Sequence, residues 1–181
     1  MSDASHRTRA ELDADLENLR QSPRDRGTVV LLVARPGVDQ REPQLLVQLA
    51  PNAPLPGDRW TSRSTPEQGP PKRQLTLMSA RAAALIAGPK ERWPLSGDNL
   101  IVDFDLSEDR LPAGTRLRVG GALLEISPER HAGCSKFAAR FGKDALAFVN
   151  STEGRALRLR GLLAHVVEPG TVHVGDPVQI G

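Results

Sequence analysis

The sequence predicts a mainly β fold, a closed or nearly closed β-barrel with about three short helices at its periphery. Three observations carry this reading. Roughly eight short runs of Val, Leu, Ile and Thr are punctuated by Pro, Gly, Asn and Asp at the spacing of an antiparallel barrel. Helical periodicity is confined to brief segments, too few to alternate with the strands as βαβ units require. A Gly120-Gly121 pair sits between two runs of matched length, the signature of a tight hairpin.

Taken in order, residues 1–26 read as an N-terminal arm, and 27–181 as a single domain. Within the arm, Leu12, Leu16 and Leu19 recur at helical spacing among Glu11, Asp13, Asp15 and Glu17, which predicts an amphipathic helix from Ala10 to Leu19, ended by Ser22-Pro23. Thr28 to Arg35 is a continuous apolar, β-branched run and predicts a strand buried on both faces. A Pro/Gly/Asp/Gln turn leads to a second strand, Leu45 to Leu49. Ala50 to Lys72 is rich in Pro, Gly, Ser and Gln and reads as a long loop. Its Trp60, between Arg59 and Arg63, reads as a side chain tucked onto the core.

Gln74 to Met78 predicts a strand; Ser79 is suited to cap a helix over Ala80 to Ala87, which Gly88-Pro89 stops. In Asn99 to Leu106, Leu100, Val102, Phe104 and Leu106 define one apolar face, with Ile101, Asp103 and Asp105 on the other. No histidine or further acid lies near the two aspartates in sequence, so they read as solvated strand residues rather than a metal or acid–base pair. Thr115 to Val119 and Ala122 to Ser127 form the hairpin about Gly120-Gly121. Lys143 to Asn150 predicts a helix with Asp144 near its start, and Leu157 to Val167 and Thr171 to Ile180 predict the last strands.

Bulk properties restrict the function. The chain has 181 residues, no apolar run approaching the ~18 of a membrane span, and no apolar N-terminal leader. Its one cysteine cannot close an internal disulfide, and these features together predict a cytoplasmic protein. The basic pI rests on a net surplus of only +2, and with two Trp, four Phe and no Tyr there is little to stack on bases, which argues against nucleic acid. The histidines His6, His131, His165 and His173 have no zinc-ligand spacing with the single cysteine.

What remains is the cysteine. Cys134 lies in Arg130 to Arg160, a stretch with seven basic residues against two acidic, the densest positive segment of the chain. Cations and a helical turn beginning after Cys134 both stabilise a thiolate, and the same cations suit an anionic ligand. Gly133 permits close approach of a ligand or of another backbone, and His131 lies three residues before the thiol, within reach for a Cys–His pair.

Several blocks, in order, resemble the MOSC domain, the domain named for the C-terminal part of molybdenum-cofactor sulfurases. They are Gly97-Asp98-Asn99-Leu100, Leu111 to Gly120, Leu123-Leu124-Glu125-Ile126, Cys134-Ser135-Lys136-Phe137 with Ala139-Arg140-Phe141-Gly142, Arg160 to Ala164, and Gly170 to Val178. The match covers about 97–180, and Gln74 to Ile86 with Gly57-Asp58 extends it towards the N-terminus. The resemblance implies a cytosolic β-barrel that handles the molybdenum cofactor or sulfur. Cys134 would then ligate molybdenum or carry sulfur as a persulfide, with Arg130, Lys136 and Arg140 as candidates to hold the cofactor phosphate and His131 and Asn99 completing the binding set.

The chain departs from the family pattern in two places. Leu95-Ser96-Gly97-Asp98-Asn99-Leu100 stands where well-studied members show Phe-Gly-Glu-Asn-Leu, and His131-Ala132-Gly133-Cys134 stands where amidoxime-reducing relatives show Ser-Pro-Cys. The sequence carries no iron–sulfur or sulfurase domain, so a reductase or sulfur-transfer role calls for a redox or sulfur-donor protein partner. The competing expectation is a non-catalytic module that binds another anion, such as a nucleotide, through the same basic patch.

Overall fold

The computed structural model describes residues 6–59 and 71–181; the sequence expectation for Trp60 and Arg63 falls outside them. Among the described residues are ten strands, β1 (Gly27–Ala34), β2 (Glu42–Gln44), β3 (Leu46–Leu49), β4 (Leu75–Ser79), β5 (Leu100–Asp103), β6 (Arg116–Val119), β7 (Ala122–Ile126), β8 (Leu162–Glu168), β9 (Gly170–His173) and β10 (Pro177–Ile180). Six α-helices accompany them, α1 (Arg9–Ala14), α2 (Leu16–Arg20), α3 (Ala80–Ala87), α4 (Ser135–Phe141), α5 (Lys143–Asn150) and α6 (Thr152–Ala156), with a 3-10 helix over Lys90–Ser96.

Seven strands close a barrel in the order β1-β10-β6-β7-β8-β4-β5, and β5 returns to β1. Closure is made by β1 and β10, which pair antiparallel with Gly27 opposite Val178. β2 adds to β1 as an eighth strand, and β3 pairs with β9 in a separate ribbon. Only β4 and β5 run parallel among these pairings, because α3 and the 3-10 helix carry the chain across between them.

The predicted barrel is therefore the observed one, with corrections in detail. The arm helix is two short helices broken at Asp15, and Thr8 closes a capping box with Glu11 at the first. β2 comes from a segment that reads as turn, and α6 and the 3-10 helix from segments to which the sequence assigns no helix or strand. Each is only three to seven residues long, too short to display a period. Leu157 to Gly161, expected as strand, is the C-cap of α6 and the turn that follows it.

Alternation along the strands builds two cores. Leu75, Leu77, Leu100, Val102 and Phe104 point into the barrel, while Met78 and Ile101 point outward beneath the helices. The face of β5 expected to be polar is thus covered: Ile101 packs in one cluster with Leu12, Leu16 and Leu19 of the arm and Phe148 of α5. Burying a leucine such as Leu12 contributes roughly 1.5–3 kcal/mol, so the arm is part of the second core rather than an appendage. Asp103 and Asp105 are ion-paired to Arg81 and Arg24. Among the described residues no group of three or more His, Cys, Asp or Glu could hold a metal ion, and no helix is long and apolar enough to cross a membrane.

Candidate functional site

Cys134 is exposed and occupies the N-cap position of α4. The sequence dictates this placement through its two flanks. Phe137 and Phe141 are buried at i,i+4 spacing, with ring centroids 4.9 Å apart, and fix α4 against the second core. Upstream, Asn150 of α5 clamps the Gly133 backbone, accepting from its N–H at 3.1 Å and donating to its carbonyl at 3.3 Å. A Cβ on Gly133 would stand 2.8 Å from Leu146 and 2.9 Å from Val149, so the close approach that glycine permits here is that of α5 side chains, not of a ligand.

The thiol is held below its ordinary pKa by the backbone N–H groups of Phe137 and Lys136 at the start of α4 and by the positive charges of Arg160 and Arg140; its partial burial works the other way. It opens on a cavity of about 210 Å³ that six cationic side chains line, Arg35, Arg41, Arg59, Lys136, Arg140 and Arg160, with His131 in the wall.

Four of these arginines are held by one short segment. The carbonyl of Pro94 accepts from Arg41 Nε at 3.1 Å, that of Leu95 from Arg140 Nη1 at 3.0 Å, that of Ser96 from Arg160 Nη2 at 3.1 Å, and that of Gly97 from Arg35 Nη1 at 3.0 Å. Four successive carbonyls at the end of the 3-10 helix each fix one guanidinium, and the four come from the two ends of the β1–β2 loop (Arg35 and Arg41), α4 and the turn before β8. The end of a helix is the negative end of its dipole, which makes it a natural rack for cations.

Buried carboxylates hold two of the four from behind. Asp58 takes Arg35 through both oxygens, at 2.7 and 3.2 Å, and also accepts from the Arg35 backbone N–H at 3.0 Å. Asp98, fully buried, accepts from Arg160 Nη1 at 2.8 Å and from His131 Nε2 at 3.1 Å. Although burial raises the carboxyl pKa, Arg160 and the His131 hydrogen bond hold it at about 2, so Asp98 is ionised and acts only as an acceptor. His131 therefore carries its hydrogen on Nε2. Burial and the neighbouring Arg160 lower its pKa, which keeps the imidazole neutral at pH 7 with Nδ1 unprotonated. At the solvent side Asp39 accepts from Arg140 Nη2 at 2.5 Å.

Of the residues singled out by sequence, Cys134, His131, Lys136 and Arg140 line this cavity together. Arg130 does not; it lines a different, larger cavity on the other side of the 130–133 loop. Asn99 lies beneath the site, fully buried, with Oδ1 accepting from Arg35 at 3.1 Å and Nδ2 donating to Asp58 at 2.9 Å. It serves the cavity through those two side chains.

Arg35, Arg41, Arg59, Asp58 and Asp98 are the site residues that sequence reasoning missed as such. The available signals were an arginine closing the most apolar strand of the chain and an aspartate inside the Gly97-Asp98-Asn99-Leu100 block. Arg160 belongs to the basic stretch, where the sequence assigns it no separate role.

The donor set fits a soft metal or sulfur centre bearing a phosphate. One thiol of lowered pKa stands beside fixed guanidiniums, and Arg160 Nε is a buried donor without a hydrogen-bond partner among the described residues, its guanidinium lying 5.2 Å over the Phe137 ring.

The family model for the MOSC domain matches residues 65–179. The fold is similar to that of the YuaD protein from Bacillus subtilis, with a TM-score of 0.58 and 20% identity over 84% of this chain and 94% of that one. YiiM from Geobacillus stearothermophilus aligns with a TM-score of 0.58 and 16% identity, over 86% of this chain and 75% of its own. YiiM from Escherichia coli gives 0.57 and 21%, over 86% and 69%. At these identities the likeness speaks for the fold alone. No match is found among the curated proteins.

Proposed function

The chain belongs to the MOSC domain family, and from that premise we propose that it binds the molybdenum cofactor in the cavity beside Cys134. The observation that carries the reading is the pairing of an exposed, acidified thiol with arginines fixed on the Pro94–Gly97 carbonyls. Guanidiniums already held in place lose little freedom when a phosphate arrives, so more of each charge-assisted hydrogen bond goes into affinity. Arg140, Arg160, Arg41 and Lys136 would hold the phosphate.

Cys134 supplies a thiolate at the rim, either as a molybdenum ligand or as a sulfur carrier. Once bound, the cofactor's molybdenum supplies two-electron redox and atom-transfer chemistry. His131, neutral and oriented by Asp98, offers Nδ1 as a proton acceptor in the cavity wall, while Asp98 and Asn99 fix the cations behind it. A separate protein would deliver electrons or sulfur, and a cytoplasmic location fits a chain whose one cysteine is left as a free thiol.

The test is expression in a cofactor-producing host, followed by molybdenum analysis and pterin fluorescence of the purified protein. We expect both to copurify, Cys134→Ala to lower the molybdenum content and Arg140→Ala to lower the pterin content. Wild-type protein without either component, with Cys134→Ala unchanged in ligand content, sinks the reading. Salt-sensitive nucleotide binding by that metal-free protein would instead identify a non-catalytic anion-binding module.

A further inference from the structure

The larger cavity beyond the 130–133 loop has a volume of about 500 Å³, within the ~300–1,000 Å³ range of small-molecule sites. It shares a wall with the cysteine site, because His131 lines both. Pro112, Val149 and Leu162 give it an apolar side.

Most polar groups around it are already engaged in holding the fold. Asn150 clamps Gly133. Arg158 donates through Nη1 to the carbonyls of Leu106 at 3.2 Å and Leu111 at 2.6 Å. Glu129 is ion-paired to Arg73 and lies 4.0 Å from Lys72. Three solvent-exposed lining groups differ in having no side-chain ion pair or hydrogen bond among the described residues: Glu108, whose charge acts on Arg158, and two arginines, Arg130 and Arg155. The two arginines come from different elements, the loop before Cys134 and α6, and converge on one concave surface.

We propose that this cavity is a second ligand site, taking a small organic anion: an apolar body against Pro112, Val149 and Leu162, and one carboxylate or phosphate head held by Arg130 and Arg155. Guanidiniums recognise both heads by paired hydrogen bonds, and the apolar wall selects against bare inorganic anions. The site does not depend on the cofactor reading, since neither arginine lines the Cys134 cavity.

Ligand-observed NMR titration of the full chain tests it, with hexanoate, hexyl phosphate, hexan-1-ol and inorganic phosphate as probes. At least one of the two amphipathic anions should bind at least about tenfold more tightly than both hexanol and inorganic phosphate, the size of effect expected from charge-assisted hydrogen bonds. The tighter of hexanoate and hexyl phosphate identifies the head group. Arg130→Ala/Arg155→Ala should weaken that binding about tenfold, and Arg130→Lys/Arg155→Lys should restore part of it, with melting temperatures confirming that all variants fold. Arg140→Ala, which alters only the cysteine cavity, should leave it unchanged.

No binding of either amphipathic anion at millimolar concentration overturns the proposal. So does binding in which hexanol or inorganic phosphate equals the anions. Loss of binding with Arg140→Ala rather than with the Arg130/Arg155 pair does so too, because it places the anion beside Cys134.

Discussion

Asp98 and Arg160 meet at 2.8 Å beneath the cysteine cavity, with the carboxylate fully buried and the arginine side chain only 10% exposed. Removing one member of such a pair leaves the other charge buried and uncompensated, a loss of about 3–5 kcal/mol. Asp98→Ala is accordingly expected to lower urea stability by that amount, and the near-isosteric Asp98→Asn by less. A loss below about 1 kcal/mol for the alanine variant, the range of an exposed ion pair, would show that Asp98 does not anchor the cations.

The same carboxylate contributes to the acid limb of stability. Its folded pKa of about 2 lies below the ordinary 3.8, so the unfolded chain takes up the proton first as pH falls. The stabilisation is complete above pH 4 and disappears between about pH 4 and 2; the shift corresponds to on the order of 2 kcal/mol. Urea midpoints measured across that window should fall steeply in the wild type and much less in Asp98→Asn.

His131 acts at higher pH with its own sign. Its folded pKa is depressed below 6.5, chiefly by burial, so the imidazole is neutral in both states above that value. Below pH 6.5 the unfolded chain is protonated before the folded one, and stability declines as pH drops towards the folded pKa. His131→Gln should flatten the stability profile in this interval. In the wild type, the His131 ring resonances should titrate with a midpoint under 6.5; a midpoint above it contradicts the burial argument.

Gly161 ties the arginine rack to the barrel. It follows Arg160, has φ of +100°, and a Cβ there would fall 2.1 Å from the Leu77 carbonyl oxygen in β4. Gly161→Ala therefore meets both a disfavoured conformation and backbone it cannot displace, and should cost about 2–4 kcal/mol in chemical denaturation. Gly175 also has a positive φ, +94°, but open space around its missing Cβ, so Gly175→Ala should cost only the conformational part, about 1 kcal/mol.

The barrel was legible because strand burial writes itself into local pattern: the apolar run of β1, the Gly120-Gly121 hairpin, and Ser79 capping α3 are all contiguous signals. Cys134 and its helix-start setting were legible for the same reason. The cavity's charge was not. The Arg130–Arg160 stretch looked like one basic patch, yet folding sends Arg130, Arg155 and Arg158 to the neighbouring cavity and replaces them beside Cys134 with Arg35, Arg41 and Arg59. Long-range closure of β1 against β5 and β10 makes those meetings, and no local window contains them. The Pro94–Gly97 rack was hidden further, since carbonyl acceptors are present at every position of a chain and only the backbone course selects four of them.

Cys134 is the only cysteine in the chain, so its titration can be followed without a competing signal. Two kinds of group stabilise its thiolate: the N–H groups of Phe137 and Lys136, which no side-chain substitution removes, and the charges of Arg160 and Arg140. Alkylation by iodoacetamide should show a midpoint below the ordinary thiol value of 9.0. Arg140 is bonded to Leu95 and Asp39 near the solvent side, so Arg140→Ala removes one charge without opening the core. A charge there is worth roughly 0.5–1 kcal/mol, which converts to alkylation at pH 7 slower by about two- to fivefold. Raised salt should slow the wild type in the same direction and the variant less, because screening acts on the charges and spares the N–H groups. A midpoint at or above 9.0 would mean that the arginines, held by their carbonyls and carboxylates, have no field left to lend the sulfur.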